Sequence, residues 1–205
     1  MNTALLAISP GVLEDEDAQA FLAPAARARA AGLGALLVRE PRLSDRAYLA
    51  LCERLRGVYD GALLLVHDRL HLAVAVDADG VQLSWRGLSA AVAREQLPRG
   101  MLVGTSAHAG DDPAIHAASD HVLVGPVRAT PSKAGWKEPL GIDGFRRELA
   151  RCGRPAWAVG GLGPEDCPQL RAAGAAGIAC IAGIWSAPDV ALAVAAYLRA
   201  LEEAA

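Results

Sequence analysis

The sequence predicts an α/β fold, a (β/α)8 TIM barrel forming a single domain over residues 1–205, and three observations carry that prediction. Short apolar runs alternate with longer amphipathic stretches from one end to the other, and eight such runs are found. Most of them are continuously apolar, the pattern of parallel strands covered on both faces. No linker interrupts the series, and no GxGxxG or GxxxxGK[ST] turn follows an early strand, as an open nucleotide-binding sheet would require. A length of 205 residues is short for a barrel but sufficient.

The predicted strands, in order, are 3–8, 34–38, 62–66, 80–83, 101–105, 121–125, 156–160 and 177–182. The helical stretches between them are 13–31, 44–57, 69–77, 88–97, 111–118, 141–151, 164–173 and 188–203. Start signals mark several: Ser44-Asp45, Ser89, Asp111-Asp112-Pro113, Gly163-Pro164 and Pro188-Asp189. The segment "RLHLAVAVD" (69–77) is compatible with helix or strand by pattern alone. Alanine-rich stretches such as "LAPAARARAAG" space their apolar and arginine residues as packed surface helices do.

Composition narrows the function. A hydrophobic share of 53% supplies a core, while a formal charge of -3 and the absence of any Lys/Arg block longer than two residues argue against nucleic-acid binding. The start "MNTALLAISPG" lacks a basic n-region and reads as a strand, and no segment approaches the roughly 18 apolar residues of a membrane span. Four cysteines without a CxxC pair suit reduced, buried thiols in a cytoplasmic protein.

In such a barrel the site is built from segments leaving the carboxyl ends of the strands. Titratable and small residues gather there: Arg39-Glu40-Pro41, His67-Asp68-Arg69, Ser84-Trp85-Arg86-Gly87, Ser106-Ala107-His108, the loop from Gly125, Gly160-Gly161-Leu162-Gly163, and Ala182-Gly183-Ile184-Trp185. Glycines after the last two strands let backbone N–H groups approach an anion, so phosphate is the expected guest at Gly160, Gly161 and Gly183. The loop "GPVRATPSKAGWKEPLG" (125–141) carries Thr130, Ser132 and Lys133, a donor set suited to closing over an anionic substrate.

Six stretches in register resemble one family, thiamine phosphate synthase and its paralogue, the TenI-type thiazole tautomerase. They are "VRE", "VHDRLHLAVAVDADGVQL", "VGTSAH", "VGPVRATPSK", "AVGGL" and "AAGAAGIACIAGI". The resemblance implies a barrel, commonly a homodimer, acting on a small phosphorylated thiazole in thiamine biosynthesis. It implies that Thr130, Ser132 and Lys133 contact the thiazole substrate, that Gly161 with the Ile181-Ala182 backbone cradles phosphate, and that Ser106 is a polar position of the site.

The other half departs from the family. The synthase's Gln-x-Arg-x-Lys array falls on Leu37, Arg39 and Pro41, so the arginine alone is kept. Of two acidic ligands for Mg²⁺, Asp68 matches the first while the second falls on Gly87; the preceding asparagine is His67. A departing diphosphate develops charge that metal and cations must meet. On this ground the motifs favour the metal-independent tautomerase, with no cofactor, over the synthase, which alone would need Mg²⁺. A tautomerase moves a ring proton and needs an acid/base; some family members carry a histidine where this chain has Pro126. The candidates that remain are His108 and His67, with Lys133 and Asp68 as helpers, whereas His71, His116 and His121 read as structural. Trp85 reads either as filling the pyrimidine space or as packing, Trp136 and Trp185 as closing over a flat ring, and Trp157 as core. A third possibility is a silent paralogue that binds a pathway phosphate.

Overall fold

The computed structural model describes residues 3–130 and 138–204. Eight parallel strands close on themselves in sequence order: β1 (Leu5–Ile8), β2 (Ala35–Val38), β3 (Leu63–His67), β4 (Gly80–Leu83), β5 (Leu102–Ala107), β6 (His121–Val124), β7 (Ala156–Val159) and β8 (Gly177–Cys180). The last pairs with the first, Leu6 lying opposite Ala179. Around them run α1 (Leu22–Ala30), α2 (Asp45–Val58), α3 (Leu70–Ala75), α4 (Ala90–Gln96), α5 (Gly141–Cys152), α6 (Cys167–Ala172), α7 (Ala182–Trp185) and α8 (Val190–Glu202).

The continuous apolar runs are explained by two cores on opposite faces of the sheet. Leu6, Ile8, Ala35, Leu37, Leu65, Leu123, Trp157 and Ala179 fill the barrel. Their strand neighbours, such as Leu5, Leu36, Leu64 and Val66, pack outward against the helices. Trp157, expected in the core, plugs the amino-terminal end of the barrel and donates its indole N–H to the Thr3 carbonyl at 3.2 Å. The predicted start signals act as caps: Ser44 accepts from the Ala47 N–H at 3.2 Å, Ser89 from Val92 at 3.3 Å and Asp189 from Ala191 at 2.8 Å.

Two predicted helices are shorter than expected. The first begins as a 3₁₀ turn at Ala18–Phe21 and becomes α-helical at Leu22, because Pro24 has no N–H to donate and its ring opposes a preceding α-helical turn. The stretch 111–118 forms a 3₁₀ turn alone, Pro113–His116. There the Ser119 hydroxyl donates to the His116 carbonyl at 2.7 Å, taking an acceptor that a continuing helix would use. Segment 69–77 resolves as helix, Leu70–Ala75. Among the described residues no helix is long and apolar enough to cross a membrane.

Candidate active site

The tips of β6, β7 and β8 form an interlocked half of the barrel mouth. Val127 and Arg128 donate their backbone N–H to the Val159 and Gly160 carbonyls, each at 2.9 Å, so the loop leaving β6 lies along the one leaving β7. Glycine is required at this seam. A Cβ at Gly160 (φ +101°) would fall 2.8 Å from the Pro126 Cα, and one at Gly161 (φ +66°) would land on the Ala129 carbonyl oxygen. Beyond β8, a Cβ at Gly183 would collide with the Tyr197 hydroxyl, which donates to the Leu162 carbonyl at 2.6 Å and so ties α8 to the β7 loop.

These glycines therefore have packing causes as well as the phosphate role expected of them. Both are compatible. Among the described residues, the N–H groups of Gly161, Ala182 and Gly183 find no internal acceptor, as donors for an anion must. Ile181 precedes α7 in the non-helical conformation (φ -116°, ψ -85°) that turns the chain there. Thr130 is half-buried at the start of the mouth loop, while Ser132, Lys133 and Trp136 lie outside the described residues.

The tips of β2, β3 and β4 are joined by side chains instead. The Ser9 hydroxyl accepts from the Arg39 N–H at 2.7 Å. Glu40, a residue to which the sequence assigned no role, is buried and accepts from the N–H groups of Gly11 at 2.7 Å and Leu13 at 2.9 Å, fastening the β1 loop to β2. Asp68 takes the left-handed conformation (φ 59°) and its Oδ1 accepts from the Ser84 N–H at 2.7 Å, with Oδ2 3.4 Å from His67 Nδ1. Leu37, at the position where the resemblance implies a glutamine, lies in the barrel core.

Burial holds the His67 imidazole below its ordinary pKa; Asp68 opposes this, and the charges of Arg39 and Arg69 add to it. Burial thus favours the neutral form of the His67 imidazole, which stands beside a carboxylate and within the field of two guanidinium groups. Arg69 itself is bound at 3.2 Å to Asp45 and lies over the Tyr48 ring.

His108 is buried beyond β5, its Nδ1 3.4 Å from Asp111 Oδ2, and its own N–H donates to the same oxygen at 2.8 Å. Ser106, half-buried two residues earlier, faces inward and its Oγ accepts from Gln82 Nε2 at 3.4 Å. The structure thus brings His67, Asp68 and Arg39 together on one side of the mouth and the glycine seam on the other, with Ser106 on the strand between. His116 and His121 are buried, as expected for structural residues. Trp85, 61% exposed with the Arg86 guanidinium over its ring, neither fills the mouth nor packs beneath a loop. Trp185 is anchored, donating to the Ile8 carbonyl at 2.6 Å and meeting Phe21 edge to face, so it is not a mobile cover.

A divalent cation does not fit the residues present. Asp68 already serves the Ser84 amide, and a Cβ at Gly87 would come 2.6 Å from Asp68 Oδ1, so a second carboxylate could not stand there without moving the first. Among the described residues no group of three or more His, Cys, Asp or Glu side chains could hold a metal ion.

Comparison with known proteins places the chain in a family and agrees with the barrel fold. The family model described as thiamine monophosphate synthase matches residues 6–184. The chain is 40% identical over 158 residues to the thiamine-phosphate synthase of Salinispora arenicola, covering 76% of this chain and 74% of that one. It is also 40% identical over 178 residues to the thiamine biosynthesis bifunctional protein ThiM/ThiE of Symbiobacterium thermophilum, where 85% of this chain spans 37% of the relative. Among solved structures, thiamine phosphate pyrophosphorylase from Pyrococcus furiosus superposes with a TM-score of 0.81 at 26% identity, over 98% of this chain and 96% of that one.

Proposed function

The chain belongs to the thiamine monophosphate synthase family, and from that premise we propose that it makes thiamine phosphate, joining hydroxymethylpyrimidine diphosphate to the phosphorylated carboxythiazole. The carrying observation is that relatives 40% identical are named for that activity or for thiamine biosynthesis. The mouth supports it: where some tautomerases hold a histidine, this chain buries the ring of Pro126, which accepts and donates no proton. This reverses the order drawn from the motifs, in which the tautomerase came first.

In this reading the N–H groups of Gly161, Ala182 and Gly183 receive the thiazole's phosphate, and Thr130, Ser132 and Lys133 are the residues that the resemblance assigns to contact with the thiazole. The new bond forms to the pyrimidine's methylene carbon. The thiazole nitrogen supplies the pair for it as the methylene's carbon–oxygen bond breaks with its own pair leaving on diphosphate; the carboxylate departs as carbon dioxide, and the ring carbon that keeps its pair takes a proton from solvent. Charge growing on the diphosphate is met by Arg39, supported by the field of Arg69.

The tautomerase remains the second reading because two observations favour it: Asp68 and Gly87 are a poor cation site, and the His67 imidazole stands beside the Asp68 carboxylate, whose charge favours a proton on the ring. One experiment separates the two. Purified protein is given both synthase substrates, with Mg²⁺ or with a chelator, and separately the thiazole tautomer alone. Thiamine phosphate formed at an enzymatic rate supports the proposal. No product, with ring-proton exchange on the lone thiazole, overturns it in favour of the tautomerase; binding without turnover in either assay would mark a silent paralogue.

A further inference from the structure

Beneath the mouth, a polar chain crosses three strands of an otherwise apolar barrel interior. His121 opens β6, Gln82 lies on β4, and the strand between them, β5, carries Gly104 at the level where they meet; Gly104 is in register with both residues. A Cβ at that position would land on Gln82 Oε1 and His121 Nε2, so glycine is what lets the two side chains touch across β5. They do so at 3.1 Å, and the far side of the Gln82 amide reaches Ser106 Oγ at 3.4 Å. Gln82 and His121 are each 1% exposed.

The direction of this chain follows from its chemistry. An amide oxygen only accepts, so His121 Nε2 carries the proton and Nδ1 is bare. Burial pushes the imidazole down to about 4, which keeps a second proton off the ring at neutral pH. Among the described residues, His121 Nδ1 has no partner. Turning the amide over would move the proton to that nitrogen and bury an N–H with no acceptor, the costlier arrangement. With Gln82 Oε1 receiving from His121, its NH₂ donates to Ser106, and the Ser106 hydroxyl hydrogen is left for another acceptor.

We propose that Gln82 and His121 are positioning residues that commit the Ser106 hydroxyl to donate its proton into the barrel mouth, toward an anionic oxygen of the substrate. The proposal rests on the functional reading for the identity of that anion. Ser106 touches the substrate and the other two act through it. The interior network thus sets the polarity of a site residue without reaching the site.

Two measurements test it on the whole protein. The first is nitrogen NMR of histidine-labelled protein, with His121 assigned by its loss in His121→Gln. A neutral ring protonated at Nε2 is expected between pH 6 and 8 (on the order of the ordinary His range), and protonation at Nδ1 overturns the proposal. The second is calorimetric affinity for inorganic diphosphate and for the carboxythiazole phosphate in Gln82→Glu, Gln82→Met, Ser106→Ala and the pairs. In Gln82→Glu a carboxylate would draw the serine proton inward. Affinity for one of the two anions is expected to fall about tenfold, less in Gln82→Met, and neither change should weaken binding further once Ser106 is alanine. An equal loss with and without Ser106 marks a merely structural role and overturns the proposal. If the unmodified protein binds neither anion, the functional reading falls and the substrate half of the proposal with it, while the tautomer still decides the direction of the chain.

Discussion

The two sides of the barrel mouth are built by different means. On the β6–β8 side the loops are held by backbone hydrogen bonds and by glycines whose missing Cβ atoms make room for Pro126, the Ala129 carbonyl and the Tyr197 hydroxyl. On the β2–β4 side the loops are held by Glu40 and Asp68, and the residues there stray from the family pattern at Leu37, Pro41 and Gly87. A binding surface made of main chain survives substitution of neighbouring side chains, whereas one made of side chains changes with each of them. In the proposed reading the backbone-built side receives the phosphate, and the side built from side chains, where the motifs depart from the resemblance, faces the diphosphate.

The sharpest way to break that contrast is to add a single methyl group to the seam. Gly161→Ala must place a Cβ on the Ala129 carbonyl oxygen while holding φ at +66°, so it should cost roughly 2–4 kcal/mol by denaturant unfolding. Gly100→Ala is the control: its φ is +92° but nothing lies within 4 Å, and it should cost only about 1 kcal/mol. Equal losses would mean that the seam is not packed as described.

The interior network beneath the mouth sets a second test through its pH response. His121 is pushed down from 6.5 to about 4 by burial, so between those values the unfolded chain binds the extra proton and the folded one does not. Stability is then full above pH 6.5 and falls as pH drops toward 4, by about 3 kcal/mol at the lower end. Carboxylates held by hydrogen bonds, Asp120 among them, lose stability in the same direction at lower pH. The quantity to compare is therefore the stability difference between the native protein and His121→Gln, which should fall by about 3 kcal/mol as pH drops from 6.5 to about 4. A difference that does not change with pH would place a charged ring in the barrel.

The fold was legible because it depends on pattern: continuous apolar runs, caps such as Ser44 and Asp189, and the even alternation of elements. The glycine seam was legible in position but not in cause, since "GG" reads equally as turn or cradle and only coordinates reveal Pro126 and the Ala129 carbonyl behind it. What sequence missed are contacts between distant residues. Glu40 bonds to Gly11 across 29 positions, and His121 reaches Gln82 across 39, with no local motif to announce either. His121 was read as structural because it begins a strand; its partner and the glycine between them supply the further meaning. Trp85 misled because an aromatic near a barrel mouth suggests filling, while its ring is given over to solvent and Arg86.

A smaller effect probes the link between seam and outer shell. Tyr197→Phe removes the donor to the Leu162 carbonyl and leaves that oxygen unpaired, which should cost about 1–2 kcal/mol by thermal or denaturant unfolding. If the loops after β7 and β8 depend on this tie, affinity for the carboxythiazole phosphate should weaken along with stability. A stable, fully binding variant would show that the glycines hold the seam alone.

The smallest expected change in stability is the most informative for the opposite side. Asp68→Asn keeps an oxygen that can accept from the Ser84 N–H, so the β3 and β4 tips should stay joined at a cost under about 1 kcal/mol. What disappears is the negative charge 3.4 Å from His67, one of the influences that raise its pKa. A variant that folds normally but forms product much more slowly would assign the carboxylate's charge, not its bond to the loop, to the chemistry. Undiminished turnover would leave Asp68 as a fastener like Glu40. In that case the diphosphate side would have no acidic residue acting in the reaction, and its arginines would carry the leaving group.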